Sequence, residues 1–134
     1  MHPVEKGDLS LAMITARFLR LGYVVLRPMT ENCRYDLVIS RNDGPFERVQ
    51  CKTGRLRSGA IKFNACSSQA HHGKGIGRTK YTGQIEFFGI YCPETDGCYL
   101  IPIGEIGGVE GSLRVEAPKN NQGIGVRLAS CFEV

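Results

Sequence analysis

The stretch Tyr35-Asp36-Leu37-Val38-Ile39-Ser40, then Asn42-Asp43-Gly44-Pro45, then Phe46-Glu47-Arg48-Val49-Gln50-Cys51-Lys52-Thr53 decides the fold. Two strand-like runs flank a strong turn signal, which predicts an antiparallel hairpin. Side chains two apart on a strand share a face. Gln50 and Lys52 therefore point one way, and Val49 and Cys51 the other. Pairing brings Asp36, at the start of the first run, beside Gln50 and Lys52 at the end of the second. A carboxylate, an amide oxygen and an ammonium then converge, a set suited to holding a divalent metal against a phosphodiester.

Before the hairpin, Leu11, Ile14, Phe18 and Leu21 recur at helical spacing and predict a helix over residues 7–21. Asp8 is the expected N-cap and Gly22 the stop. Residues 23–27 form a short apolar strand closed by Pro28. Beyond the hairpin, Ile61, Phe63 and Ala65 alternate along a further strand. Residues 67–82, containing His71-His72-Gly73-Lys74-Gly75-Ile76-Gly77-Arg78, are too glycine-rich for regular structure and predict a long functional loop. Residues 85–92 and 98–103 are a second apolar pair around the turn at 93–97, and residues 113–116 and 126–128 are candidate edge strands. Helix, strands, loop and hairpin in this order predict a single α+β domain over residues 1–134, built on a mixed sheet.

Composition narrows the class. The chain has 134 residues, 42% hydrophobic and 22% charged, as in an ordinary globule. No apolar run approaches the ~20 residues needed to span a bilayer, so no membrane partner is expected. The first residues lack the basic-then-apolar pattern of a secretion signal, which predicts an intracellular, cytoplasmic location. In that setting the six cysteines are read as thiols. Cys92 and Cys98 flank a turn and would face each other across it, but a zinc pair there is the weaker reading.

The net charge of +4 is unevenly spread. Residues 48–85 hold eight basic residues and no acid, while the remainder carries 9 basic and 13 acidic ones. Phosphate binding depends on such basic surfaces. Arg55, Arg57, Lys62, Lys74, Arg78 and Lys80 are therefore candidate DNA contacts, with His71 and His72 touching phosphate or base. Tyr81 either packs in the core or touches DNA. In the chemistry, Asp36 would be the main metal ligand, Gln50 a neutral oxygen donor and the Cys51 carbonyl a further one. Lys52 would orient the attacking water or neutralise developing charge.

The ordered set Lys6-Gly7-Asp8-Leu9, a helix, Gly22-Tyr23-Val24-Val25-Leu26-Arg27-Pro28, Tyr35-Asp36-Leu37-Val38 and Val49-Gln50-Cys51-Lys52-Thr53 resembles the PD-(D/E)-x-K nuclease superfamily. More narrowly it is similar to the homing endonucleases of bacterial group I introns, and in outline to archaeal Holliday junction resolvases. The resemblance is strongest over residues 6–53 and extends to Tyr91-Cys92-Pro93-Glu94-Thr95 and Tyr99-Leu100-Ile101-Pro102-Ile103. It implies a restriction-endonuclease-like core, a mixed sheet flanked by helices. It also implies a Mg²⁺-dependent endodeoxyribonuclease, with Mn²⁺ as an alternative, acting on double-stranded or branched DNA as a homodimer or homotetramer in a prokaryotic or viral setting.

By position Asp36 and Lys52 match the motif residues, and Gln50 stands where most members have Asp or Glu. Many members carry a helix Glu where this chain has Leu11. Asp8, one turn earlier on that face, and Glu5, one turn before it, are the candidate replacements. A homing-type double-strand endonuclease is the expected function, with a junction resolvase and a non-catalytic DNA-binding protein as the alternatives.

Overall fold

The computed structural model describes residues 1–71, 75–116 and 126–134, without the side chains of residues 68–71 and 75–78. The helix α1 spans Pro3–Arg20, and β1 follows at Val24–Leu26. The hairpin strands are β2, Leu37–Ser40, and β3, Phe46–Thr53. Then come β4, Arg55–Arg57, β5, Ala60–Asn64, β6, Cys66–His71, and β7, Gly75–Lys80. The chain continues through β8, Phe87–Cys92, β9, Gly97–Pro102, and β10, Glu110–Arg114. The main sheet has the order β1-β2-β3-β8-β9, with β3 and β8 parallel and its other pairs antiparallel.

The β2–β3 turn forms as its residues dictate. Asn42 and Asp43 sit at φ 51° and 59°, a left-handed pair these residue types tolerate, and the Gly44 N–H closes the turn on the Arg41 carbonyl at 2.8 Å.

The helix begins earlier than its periodicity predicts. Pro3 suits the first helical position, where no N–H is needed. His2 is the N-cap: its Nδ1 accepts from the Val4 N–H, and the His2 N–H donates to Glu5 Oε2 at 3.1 Å. Asp8 is thus inside the helix and not its cap. Gly22, at φ 82°, ends the helix in a paired motif, with its N–H on Leu19 and that of Tyr23 on Phe18. The Phe18 and Tyr23 rings, 5.7 Å apart, close it with an apolar contact.

Two cores lie on opposite faces of the main sheet. Alternation along the fully buried β8 sends Phe87 and Tyr91 to one, and Phe88, Ile90 and Cys92 to the other. On the first face α1 lays Ile14 and Phe18 against Leu37, Ile39 and Val49. A Cβ on Gly89 would come within 3.0 Å of Val49 and 3.3 Å of Ile14, so glycine permits this close approach. The second face is covered by strands. A small sheet, β10-β5-β4, packs Ile61, Phe63 and Leu113 onto Phe88, Ile90 and Ile101. Gly111 lies under the Phe63 ring, and an added Cβ would overlap it. Gly111→Ala is therefore expected to destabilise the fold by about 1–3 kcal/mol, read from chemical denaturation.

Two expectations need correction. In place of the long loop expected over residues 67–82, residues 66–71 and 75–80 form β6 and β7, an antiparallel hairpin with its own two-stranded sheet. Backbone pairing forms this hairpin although no apolar alternation announces it. Cys92 and Cys98 do not face each other, because Cys98 pairs with Tyr91 and Cys92 with Gly97. This one-residue offset puts the two thiols on opposite faces of the sheet, and all six cysteines are free.

Candidate active site

Register assembles the site. Leu37 pairs with Val49, and the Asp36 N–H donates to the Val49 carbonyl at 2.9 Å. One step further along the chain, the Asp36 carboxylate meets the Gln50 amide at the end of the paired strands, beside a cleft that Leu11 of α1 also lines. The Cys51 N–H donates to Asp36 Oδ2 at 2.9 Å. On an antiparallel strand the N–H and C=O of one residue face the same neighbour, so the Cys51 carbonyl is directed to the same side of β3 as its N–H. Its thiol packs toward the helix-side core, where burial first and the Asp36 charge second push its pKa well above the ordinary value. Cys51 therefore offers the site its backbone and not its sulfur.

One end of the Gln50 amide lies 3.3 Å from Asp36 Oδ2 and 2.8 Å from the Arg34 carbonyl oxygen. Both partners are acceptors, so the amide NH₂ faces them and donates to each. Turned over, the same amide would set three oxygens side by side: Oε1, Asp36 Oδ2 and the Arg34 carbonyl. A hard divalent cation takes an all-oxygen set, so these residues fit Mg²⁺ or Mn²⁺. The charge supplied is small. Among the described residues no three His, Cys, Asp or Glu side chains gather as a metal cluster.

Burial raises the Asp36 carboxyl above the ordinary aspartate range, outweighing the Cys51 N–H bond and the positive charges of Lys52 and Arg27. Arg34 does not offset this rise, because its guanidinium points elsewhere, onto Gln84, Ser67, Thr79 and Lys80. Lys52 shares the Gln50 face. Its Nζ donates to the Cys66 carbonyl at 3.2 Å and stands 5.1 Å from the centroid of Tyr81. Tyr81 is buried, edge-on to Phe88 at 5.7 Å, so of its two readings the core one holds.

The acids on α1 are placed differently. Glu5 is engaged in the helix cap. Asp8 lines a groove with Leu11 and Arg27, while Leu11 and Arg27 also line the adjoining cleft that holds Asp36 and Glu31. Leu11 thus reaches the edge of the Asp36 cleft, and Asp8 lies one groove away.

The basic segment is less uniform in space than in sequence. Arg48 is bound by Glu86, Nη2 to Oε2 at 2.6 Å, and its hydrogen bond holds the Glu86 carboxyl below the usual range. Lys62 has Glu110 at 3.9 Å and pairs across strands with Arg55. Arg55, Arg57 and Lys80 are exposed. His71 and Arg78 lie on β6 and β7, their side chains outside the description, and His72 and Lys74 are outside the described residues. Sequence reasoning missed Arg27 as a neighbour of the site, and took Arg34 only as a possible ion-pair partner of Asp36, whereas its guanidinium turns to the β6–β7 hairpin. The signal for Arg34 was its spacing, two residues before Asp36.

The profile of the family described as PD-(D/E)XK endonuclease matches residues 1–134. The chain belongs to this family. Protein 5.3 of Escherichia phage T7 is 31% identical over 75 residues, 56% of this chain, and the match spans 59% of that relative's length. The fold is similar to that of a bacterial homing endonuclease, I-Ssp6803I, with a TM-score of 0.78. That alignment covers 99% of this chain and 89% of the other at 24% identity. The α+β mixed-sheet core expected of the family is therefore present, with one helix on one face of the sheet and strands on the other. No helix among the described residues is long and apolar enough to cross a membrane.

Proposed function

We propose that this protein is a divalent-metal-dependent DNA endonuclease of homing type, working as at least a dimer because two sites are needed to cut two strands. The observation that carries this is the contact of the Asp36 carboxylate with the Gln50 amide, with the Cys51 N–H on the carboxylate and Lys52 on the Gln50 face. Family membership supports the reaction class. Asp36 Oδ, Gln50 Oε1 after rotation of its amide, and the Cys51 carbonyl would hold Mg²⁺. Bound there, Mg²⁺ supplies Lewis-acidic charge beside the scissile phosphate.

The chain's own residues do the rest. Asp36 fixes the position of the phosphate-facing edge through its bond to Cys51. Lys52 Nζ orients the attacking water or neutralises charge developing on the phosphate. Arg55, Arg57 and Lys80, with the less exposed Lys62, contact backbone phosphates and hold the duplex.

The test is cleavage of a plasmid, a linear duplex and a synthetic four-way junction, each with Mg²⁺, with EDTA, and with the Lys52→Ala protein. Discrete Mg²⁺-dependent cutting of duplex, absent in Lys52→Ala, is the expected result. Symmetric nicks at the junction alone would make the protein a resolvase. Binding without cutting would make it a DNA-binding protein on a nuclease fold, a reading that the small charge of the Asp36 site favours.

A further inference from the structure

We infer that Arg34 is a positioning residue that couples the β6–β7 hairpin to the Asp36–Gln50 pair, so that DNA held on the hairpin sets the geometry of the site. This rests on the nuclease reading above for its functional meaning, but the coupling itself stands on contacts. The Arg34 guanidinium grips both strands at the base of the hairpin. Nη1 donates to Ser67 Oγ at 2.6 Å, and Nη2 donates to the carbonyls of Thr79 at 3.3 Å and Lys80 at 3.1 Å. Ser67 and Thr79 are direct partners across the hairpin, so one side chain clamps one rung. Nε donates to Gln84 Oε1 at 2.6 Å, and the guanidinium carbon sits 3.9 Å from the centroid of the Tyr81 ring.

A planar guanidinium with four of its five N–H donors bonded and one face on a ring has little freedom to turn without moving what it holds. The other end of the same residue touches the chemistry. The Arg34 carbonyl receives the Gln50 amide at 2.8 Å, and Asp36 is two residues along the chain. Lys52 reinforces the link, since Nζ holds the carbonyl of Cys66, which pairs with Lys80 in the same hairpin. Among the described residues the hairpin forms a two-stranded sheet of its own, and these side chains tie its base to the site. A shift of the hairpin on binding a phosphate backbone would be carried through Arg34 to the Gln50 amide, whose rotation changes it from donor to metal-facing acceptor.

The experiment compares the parent with Arg34→Gln and with Ser67→Ala, which removes one acceptor and leaves Arg34 in place. Each ¹⁵N-labelled protein is titrated with a mixed-sequence duplex in Ca²⁺, and the Gln50 side-chain amide and Cys51 backbone resonances are followed. Single-turnover cleavage is measured on whichever substrate the parent cuts. In the parent these resonances should shift when duplex binds. In Arg34→Gln the shifts should collapse and the cleavage rate fall about 100-fold, while duplex affinity stays within about threefold because no phosphate contact of the proposed surface is removed. Ser67→Ala should show the same pattern at smaller size, and it carries the test if Arg34→Gln does not fold.

Parent-like shifts in folded Arg34→Gln, or a cleavage loss matched by lost affinity, would overturn the coupling. So would a parent whose Gln50 resonances ignore bound duplex, or a parent that binds no duplex at all. If the parent cuts nothing but its Gln50 response depends on Arg34, the coupling holds and the nuclease reading falls.

Discussion

Replacing Asp36 by Asn is expected to abolish metal-dependent cleavage, by at least about 10³-fold, while making the metal-free protein more stable. The two effects share one cause. Asp36 is half-buried, and burial raises its pKa despite the Cys51 N–H and the nearby charges of Lys52 and Arg27. A carboxylate in that state is under-compensated without a cation. Asparagine keeps an oxygen for the Cys51 N–H but carries no charge to desolvate. It also supplies no charge to a metal.

The pH dependence follows by linkage. A carboxyl whose folded pKa lies above its unfolded value of 3.8 costs stability at neutral pH, and the cost is relieved as pH falls through the folded pKa. The advantage of Asp36→Asn should therefore be full at neutral pH and vanish below the unfolded pKa. Thermal midpoints at pH 7 and in acid, without metal, measure this. Metal binding displaces the same proton, so the parent's apparent Mg²⁺ affinity should weaken as pH falls through the folded pKa. A variant no more stable than the parent at pH 7 would mean that Asp36 is already satisfied by protein groups, and the metal reading would lose its electrostatic basis.

The parts of this molecule that were legible in its sequence are those where local chemistry and burial agree. Asn42-Asp43-Gly44 forced the β2–β3 turn, and the apolar alternation of β2 and β3 set the Leu37–Val49 register that brings Asp36 beside Gln50. The β6–β7 hairpin was not legible, because its residues include Ser67, Ser68, Gln69, Gly75 and Gly77 and show no periodic apolar face. Its register is visible only in backbone pairing. The helix start was misjudged because His2 is an uncommon cap, and the reciprocal bond from Glu5 is invisible to periodicity. The charge count of residues 48–85 overstated the free basic surface, since Glu86 lies one residue beyond that window and holds Arg48. The role of Arg34 depends on contacts 33 to 50 residues away, which spacing alone does not encode.

Leu11→Glu is expected to tighten Mg²⁺ binding by roughly 10–100-fold and to raise the cleavage rate at limiting metal. Leu11 lines the cleft that holds Asp36, at the position where the nuclease resemblance implies a helix carboxylate. Attraction between a carboxylate and a divalent cation ~5 Å apart is of order 3 kcal/mol at an effective dielectric of ~40, and desolvating the new group offsets part of it. Leu11 also packs against the helix-side core, so the variant should lose about 1–2 kcal/mol of stability without metal. Calorimetric titration with Mg²⁺ and Mn²⁺ measures the gain. The same titration on Asp8→Asn decides whether Asp8, one groove away, already serves in place of the missing Glu. If it does, Asp8→Asn weakens metal binding and Leu11→Glu restores it in the double variant. If Asp8→Asn changes nothing, the parent's cation is held by one carboxylate and neutral oxygens. The gain from Leu11→Glu should then be at its largest, because no second charge is present to share it. An unchanged affinity in Leu11→Glu would mean that the helix face does not reach the cation, and Asp36 would stand as the centre of a site that α1 only supports from behind.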